Sequence, residues 1–218
     1  MNILVIAAHP DDEVLGCGGT IAKYAKHDNN VYLCVVTKAY LPDWSKEFLK
    51  NRPKEVEKAN KILGIKKTYF LDYPTVKLDT IPQKELNESI YKIIKKVNPE
   101  IIYVTHKGDL HKDHRIVFES VLVSSRPMDN HIKKILSYES LSETEWGQEF
   151  GAFKPNVYEN ISDTLKIKLE AMKAYKSELK KYPHPRSLES IEYLSRKRGS
   201  EICIDYAEAF MLIREICE

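Results

Sequence analysis

The chain of 218 residues contains no long apolar run. A membrane span needs roughly 20 consecutive apolar residues, and no segment approaches that. The first apolar run, Ile3 to Ala8, has six residues before His9, too short for the core of a secretory signal. Cysteine is sparse. Cys17, Cys34, Cys203 and Cys217 form no C-x-x-C pair, which excludes the usual finger and ribbon spacings. Cys17 and Cys34 lie in segments that read as core, so free thiols in a reducing compartment are expected. An excess of one charge is missing too. The 34 basic and 32 acidic residues leave a formal charge of +2, which sets up no field for nucleic acid or a membrane surface. There is no internal repeat, low-complexity tract or linker. These absences lead to the expectation of a cytoplasmic protein of one domain, residues 1–218, with no membrane span and no nucleic-acid partner. At 43% hydrophobic and 30% charged, its composition suits a substantial core.

What is present is an alternation of two periods. Residues 3–8, 31–37, 68–71, 101–105 and 134–138 read as strands, several of them continuous apolar runs of the kind buried on both faces. Between them, 17–27, 46–63, 83–97 and 113–124 show helical spacing, followed by 162–176 and 187–198. Gly64 is placed to end the second helix, and Asn98-Pro99 the third. The pattern predicts an α/β fold, a three-layer α/β/α, Rossmann-like domain with a mainly parallel sheet. Residues 140–156 have no steady period.

Two strand ends carry metal-ligand chemistry. Ile3-Leu4-Val5-Ile6-Ala7-Ala8 runs into His9-Pro10-Asp11-Asp12-Glu13, an imidazole and three carboxylates. Ligand sites in parallel sheets lie just beyond such carboxyl ends. One carboxylate there is accounted for as a helix cap; three beside a histidine call for a cation. Pro10 fixes the backbone between His9 and Asp12 so that both can turn inward, with Asp11 aimed beside them. The following Gly16-Cys17-Gly18-Gly19 lacks the G-x-G-x-x-G spacing of a dinucleotide loop. Its glycines are expected to let helix and sheet pack closely and to leave backbone room for substrate.

The second cluster, His106 to His114, follows the strand at 101–105. If a helix begins near Lys112, His111 and His114 face one side, one binding metal and the other standing beside substrate. Asp113 can fix a ring tautomer. His106 is read as a support or substrate contact, and His27 and His131 as surface residues. A facial triad of a non-haem iron oxygenase fits less well, because the spacing is H-x-x-D in a parallel α/β frame.

These motifs, with Arg52-Pro53-Lys54-Glu55, Lys168 to Ser177 and Tyr206-Ala207-Glu208-Ala209-Phe210, resemble the PIG-L/LmbE-like family of zinc-dependent N-deacetylases over nearly the whole chain. The resemblance implies His9, Asp12 and His114 as ligands of one zinc ion per subunit, other divalent metals being open. It implies Asp11 as general base, His111 as a protonated stabiliser of the oxyanion, and Asp113 as the residue orienting His111. Lys112 stands where the family often has proline. The implied reaction is removal of the acetyl group from an N-acetylglucosamine-type amino sugar or conjugate, releasing acetate and an amine. Arg52 and His184, the latter in the rigid Pro183-His184-Pro185 loop, are candidate substrate contacts. The loops at 38–46, 72–82 and 140–156 would shape the aglycone pocket and carry no readable code. Two other functions fit the residue types: a metal-dependent phosphoesterase, which takes two metals, and a catalytically silent sugar-binding protein, which needs no base at Asp11. Whether the chain forms a homo-oligomer is open.

Overall fold

The computed structural model describes residues 1–127 and 131–217. Chain order is β1 (Asn2–Ala7), α1 (Asp12–Lys26), β2 (Asn30–Lys38), α2 (Lys46–Leu63), β3 (Lys67–Pro74), α3 (Gln83–Val97), β4 (Ile101–Thr105), α4 (Lys112–Ser124) and β5 (Lys134–Tyr138), then β6 (Val157–Asn160), α5 (Leu165–Ala174), α6 (Leu188–Ser200) and β7 (Ala207–Glu215). The strands form one sheet in the order β3-β2-β1-β4-β5-β7-β6. The first five are parallel, and β7 runs antiparallel to both β5 and β6. Among the described residues no helix is long and apolar enough to cross a membrane.

β1 shows why its sequence is continuously apolar. Ile3, Val5 and Ala7 pack into one core with Val14 and Leu15 of α1, Val56 of α2 and Met172 of α5. Leu4 and Ile6 point the other way, among Leu86 and Ile90 of α3 and Val117 of α4. Successive side chains of a strand alternate faces, so both faces of β1 are buried. The order reverses at β1, whose neighbours are β2 and β4. Crevices at such switch points, beyond the strands' carboxyl ends, are where open α/β sheets bind ligands. Both histidine clusters emerge there.

Local signals set the helix ends. Ser45 caps α2 by accepting from the Phe48 amide at 3.1 Å, and Gly64 closes it at φ 77°. Asn98 ends α3 at φ 47°. Helix α1 begins five residues earlier than the period suggests and is broken at Cys17 (φ −143°, ψ 22°). Here the glycines serve packing alone. A Cβ on Gly16 would lie 2.1 Å from the Tyr138 ring, and one on Gly19 2.8 Å from Ile161. Gly16, Gly18 and Gly19 are buried, and none lines the substrate-sized cavity beyond the strand ends.

The break frees backbone groups that two distant side chains satisfy. Glu208 on β7 accepts from the amides of Gly19 (2.9 Å) and Thr20 (2.7 Å), and Lys168 on α5 donates to the Leu15 carbonyl (2.9 Å). The two charges meet at 2.6 Å, each side chain 3% exposed. Breaking a buried pair from one side leaves the other charge uncompensated, at a cost of about 3–5 kcal/mol. Lys168→Met is therefore expected to lower unfolding free energy by about that much in urea titration. A loss under about 1 kcal/mol would mean that the pair does not hold the break.

Candidate active site

Three electron-pair donors converge beyond β1 and β4. Nδ1 of His9 lies 3.1 Å from Nε2 of His114. Carboxylate oxygens of Asp12 stand 3.6 Å from the former nitrogen and 3.3 Å from the latter. The outer nitrogen of each ring is hydrogen-bonded. His9 Nε2 donates to Asp113 at 3.2 Å, and His114 Nδ1 donates to Asp109 at 2.8 Å. Once these tautomers are fixed, the inner nitrogens face each other with lone pairs. Such an arrangement is repulsive unless a cation lies between them, and two imidazoles with a carboxylate are the donor set zinc takes. The residues present fit a divalent metal. Despite burial, His114 and His9 hold the Asp12 carboxyl well below the usual carboxylate range. Burial opposes a charge on His114, yet Asp12 and Asp109 raise its pKa well above the ordinary value, so that with no metal present a proton takes the place of the cation between the donors.

Asp109 is the residue that sequence reasoning left without a role. Its second oxygen accepts from the Thr144 hydroxyl at 2.6 Å, so the carboxylate is gripped from both sides in full burial. Thr144 comes from the 140–156 loop, which also packs on Gly108 and takes the Leu110 amide. His106 belongs to this support rather than to the substrate. Its Nε2 meets the Gly151 carbonyl at 3.0 Å and its ring packs edge-on against Phe153.

Asp11 occupies the left-handed region, φ 102°, as N-cap of α1. Aspartate enters that region more readily than most residues. The Glu13 carboxylate holds it there, accepting the Asp11 amide at 3.0 Å and the Tyr175 hydroxyl at 2.6 Å. Burial pushes the Glu13 carboxyl up to about 7. Oδ2 of Asp11 is buried and accepts no hydrogen bond. Burial drives its pKa well above the usual value, against the pull of Arg52 and Arg186. Those guanidiniums stand 3.7 Å from its two oxygens.

His111 is the N-cap of α4 and accepts the Asp113 amide on Nδ1 at 3.1 Å. The ring proton is thereby placed on Nε2. Burial, with His9 and His114 adding to it, lowers the His111 pKa to about 4. With Nδ1 accepting from backbone, the geometry favours a neutral ring where the resemblance implies a protonated His111. The Asp113 carboxylate, which the resemblance implies as the group orienting His111, makes no hydrogen bond to it. That carboxylate is 4.0 Å from the ring and instead accepts from His9 and from the amides of Val76 (2.7 Å) and Leu78 (3.3 Å). What fixes the ring is the Asp113 backbone.

These residues open onto a cavity of about 480 Å³, within the range that holds small ligands. Arg52 lines it but is heavily engaged, bonding the Pro10 carbonyl and Ser177 and pairing with Glu55 and Glu178. His184 does not line it. Its ring Nδ1 accepts the Arg186 amide at 3.0 Å in a tight exposed turn, and the Arg186 side chain enters the cavity instead.

Residues 4–124 match the PIG-L family, described as GlcNAc-PI de-N-acetylase. The chain belongs to the PIG-L family. It is 33% identical over 185 residues to an uncharacterized deacetylase, YaiS, of Escherichia coli, covering 81% of this chain and 91% of that one. Identity is 28% to the diacetylchitobiose deacetylase of Thermococcus kodakarensis, over 81% of this chain and 70% of the relative. A conserved protein of Thermus thermophilus superposes with a TM-score of 0.82 at 24% identity, covering 99% of this chain and 96% of the other. Its sheet-and-helix fold is therefore the fold found here.

The grip on His114 gives a prediction. Asp109→Asn keeps the size but loses the charge facing His114, and loss of such a supporting partner typically costs 10- to 100-fold in metal affinity. Chelator competition on zinc-loaded protein is expected to show about tenfold weaker binding or more, with unchanged far-ultraviolet dichroism. Equal affinity would remove Asp109 from this role.

Proposed function

We propose that this PIG-L family member is a zinc-dependent N-deacetylase that removes the acetyl group from an N-acetylglucosamine-type sugar or conjugate. The observation carrying this reading is the buried Asp11 carboxylate oxygen, which accepts no hydrogen bond and stands beside the converging donors of His9, Asp12 and His114. A sugar-binding protein has no use for a buried acceptor held at φ 102°. A two-metal phosphoesterase is disfavoured because the second group, His9 with His111 and Asp113, is already spent on hydrogen bonds to ring and backbone. That relatives act on N-acetylglucosamine-type compounds supports the substrate class. The four free cysteines support a cytoplasmic setting, and a single sheet carrying every strand among the described residues supports one domain.

Zinc held by His9, Asp12 and His114 would supply Lewis acidity, polarising the amide carbonyl and bringing a water's pKa to about 7. Asp11 takes the proton of the attacking water as the carbon–oxygen bond forms. It returns that proton to the amide nitrogen as the carbon–nitrogen bond breaks, so that acetate and a primary amine leave. His111 presents its Nε2–H to the oxyanion of the tetrahedral intermediate. A neutral imidazole suffices, because the donor has only to be in place where charge develops. Glu13 and Tyr175 hold the Asp11 backbone so that its carboxylate stays aimed into the cavity.

The test is release of primary amine from N-acetylglucosamine conjugates by purified, zinc-loaded protein. Asp11→Asn is expected to keep its zinc and lose about 10²- to 10⁴-fold in turnover. Turnover close to wild type would assign the base elsewhere. His111→Ala is expected to lower kcat by about 10²- to 10³-fold with little change in KM, since the oxyanion exists only on the reaction path. An effect confined to KM would make His111 a substrate contact.

A further inference from the structure

The cavity has a second character on the β2–β3 side of the sheet. Trp44 from the β2–α2 loop, Phe48 and Leu49 from the first turns of α2, Phe70 on β3 and Val76 just beyond it all line this side. Phe70 is 50% exposed and Val76 60%, so large apolar surfaces are bare inside a cleft. Phe70 lies two strands from β1, roughly 10 Å across the sheet, which leaves room for one sugar ring between it and the reactive end. Val76 adopts φ 63°, uncommon for a β-branched residue. Its amide is bonded to Asp113, so the same carboxylate that touches His9 sets this wall of the cavity.

The cations around the cavity are already matched. Lys38 pairs with Asp72 at 3.4 Å. Arg52 pairs with Glu178 at 3.2 Å, and Arg186 with Glu178 at 2.8 Å and Glu143 at 3.5 Å. An anionic aglycone would compete with the Glu178 and Glu143 carboxylates for the two arginines and find only the exposed Lys38 besides, whereas an apolar one displaces only water from apolar walls. We infer that the substrate carries an uncharged, apolar aglycone, aromatic or alkyl, that packs on Phe70, Trp44 and Val76. This inference rests on the N-deacetylase reading for its choice of sugar.

Trp44 and Trp146 are the only tryptophans, and Trp146 lies outside the cavity, 69% exposed. In a Trp146→Phe protein, emission therefore reports on Trp44 alone. The probes are 4-nitrophenyl, methyl and carboxymethyl glycosides of N-acetylglucosamine. The nitrophenyl glycoside is expected to quench Trp44 saturably, and the methyl and carboxymethyl glycosides to compete more weakly. Adding Phe70→Ala should weaken nitrophenyl binding by about five- to tenfold. Absence of quenching, an unchanged Kd in Phe70→Ala, or tighter binding of the carboxymethyl glycoside would each overturn the inference. Primary-amine release is followed with the same three compounds. Quenching without release from any of them would leave the apolar subsite standing and defeat the N-deacetylase reading. Release with equal kcat/KM from all three, and no quenching, would do the reverse.

Discussion

Two imidazole nitrogens held 3.1 Å apart, each ring tied by its far nitrogen to a carboxylate, form the constraint around which this molecule is arranged. Neither ring can turn its lone pair away without losing its hydrogen bond to a buried carboxylate. Asp12 adds a third donor from the first turn of α1. The arrangement needs positive charge at its centre, and it needs β1 and β4 to end side by side, as they do in parallel register. The switch point of the sheet makes that meeting place open to solvent on one side. Each supporting group then has its own support: Asp109 has Thr144, Asp113 has the Val76 and Leu78 amides, and Glu13 has Tyr175.

Helix α1 illustrates how far this ordering reaches. Its first turn must point Asp12 at the histidines while its later turns lie along the sheet. The break at Cys17 reconciles the two directions, and Lys168 and Glu208 satisfy the backbone groups it exposes. A helix with a conventional middle would leave those two buried charges without their backbone partners. The segments 168–177 and 206–210 are therefore tied to the front of the chain by hydrogen bonding.

Much of this was legible in the sequence. Strand ends followed by ligand-rich loops, the Gly64 and Asn98 helix stops, and the N-terminus of α4 near Lys112 are all local signals, and the structure matches them. Long-range partnerships were not legible. Asp109 lies five residues before His114, but nothing in that spacing shows that Thr144 closes the grip. Arg186 took the place expected for His184, because the turn between the prolines folds the histidine back on its own backbone. β7 escaped notice because Glu208 interrupts its apolar pattern; the charge is buried there only because Lys168 and two amides meet it. β6 has four residues and no signal of its own.

The central claim is that one divalent metal sits between His9, Asp12 and His114. Elemental analysis of zinc-reconstituted protein tests it most directly. One zinc per chain is expected, lost from both His9→Ala and His114→Ala while circular dichroism shows the fold retained. Full zinc in those variants, or two equivalents in the parent protein, would contradict it.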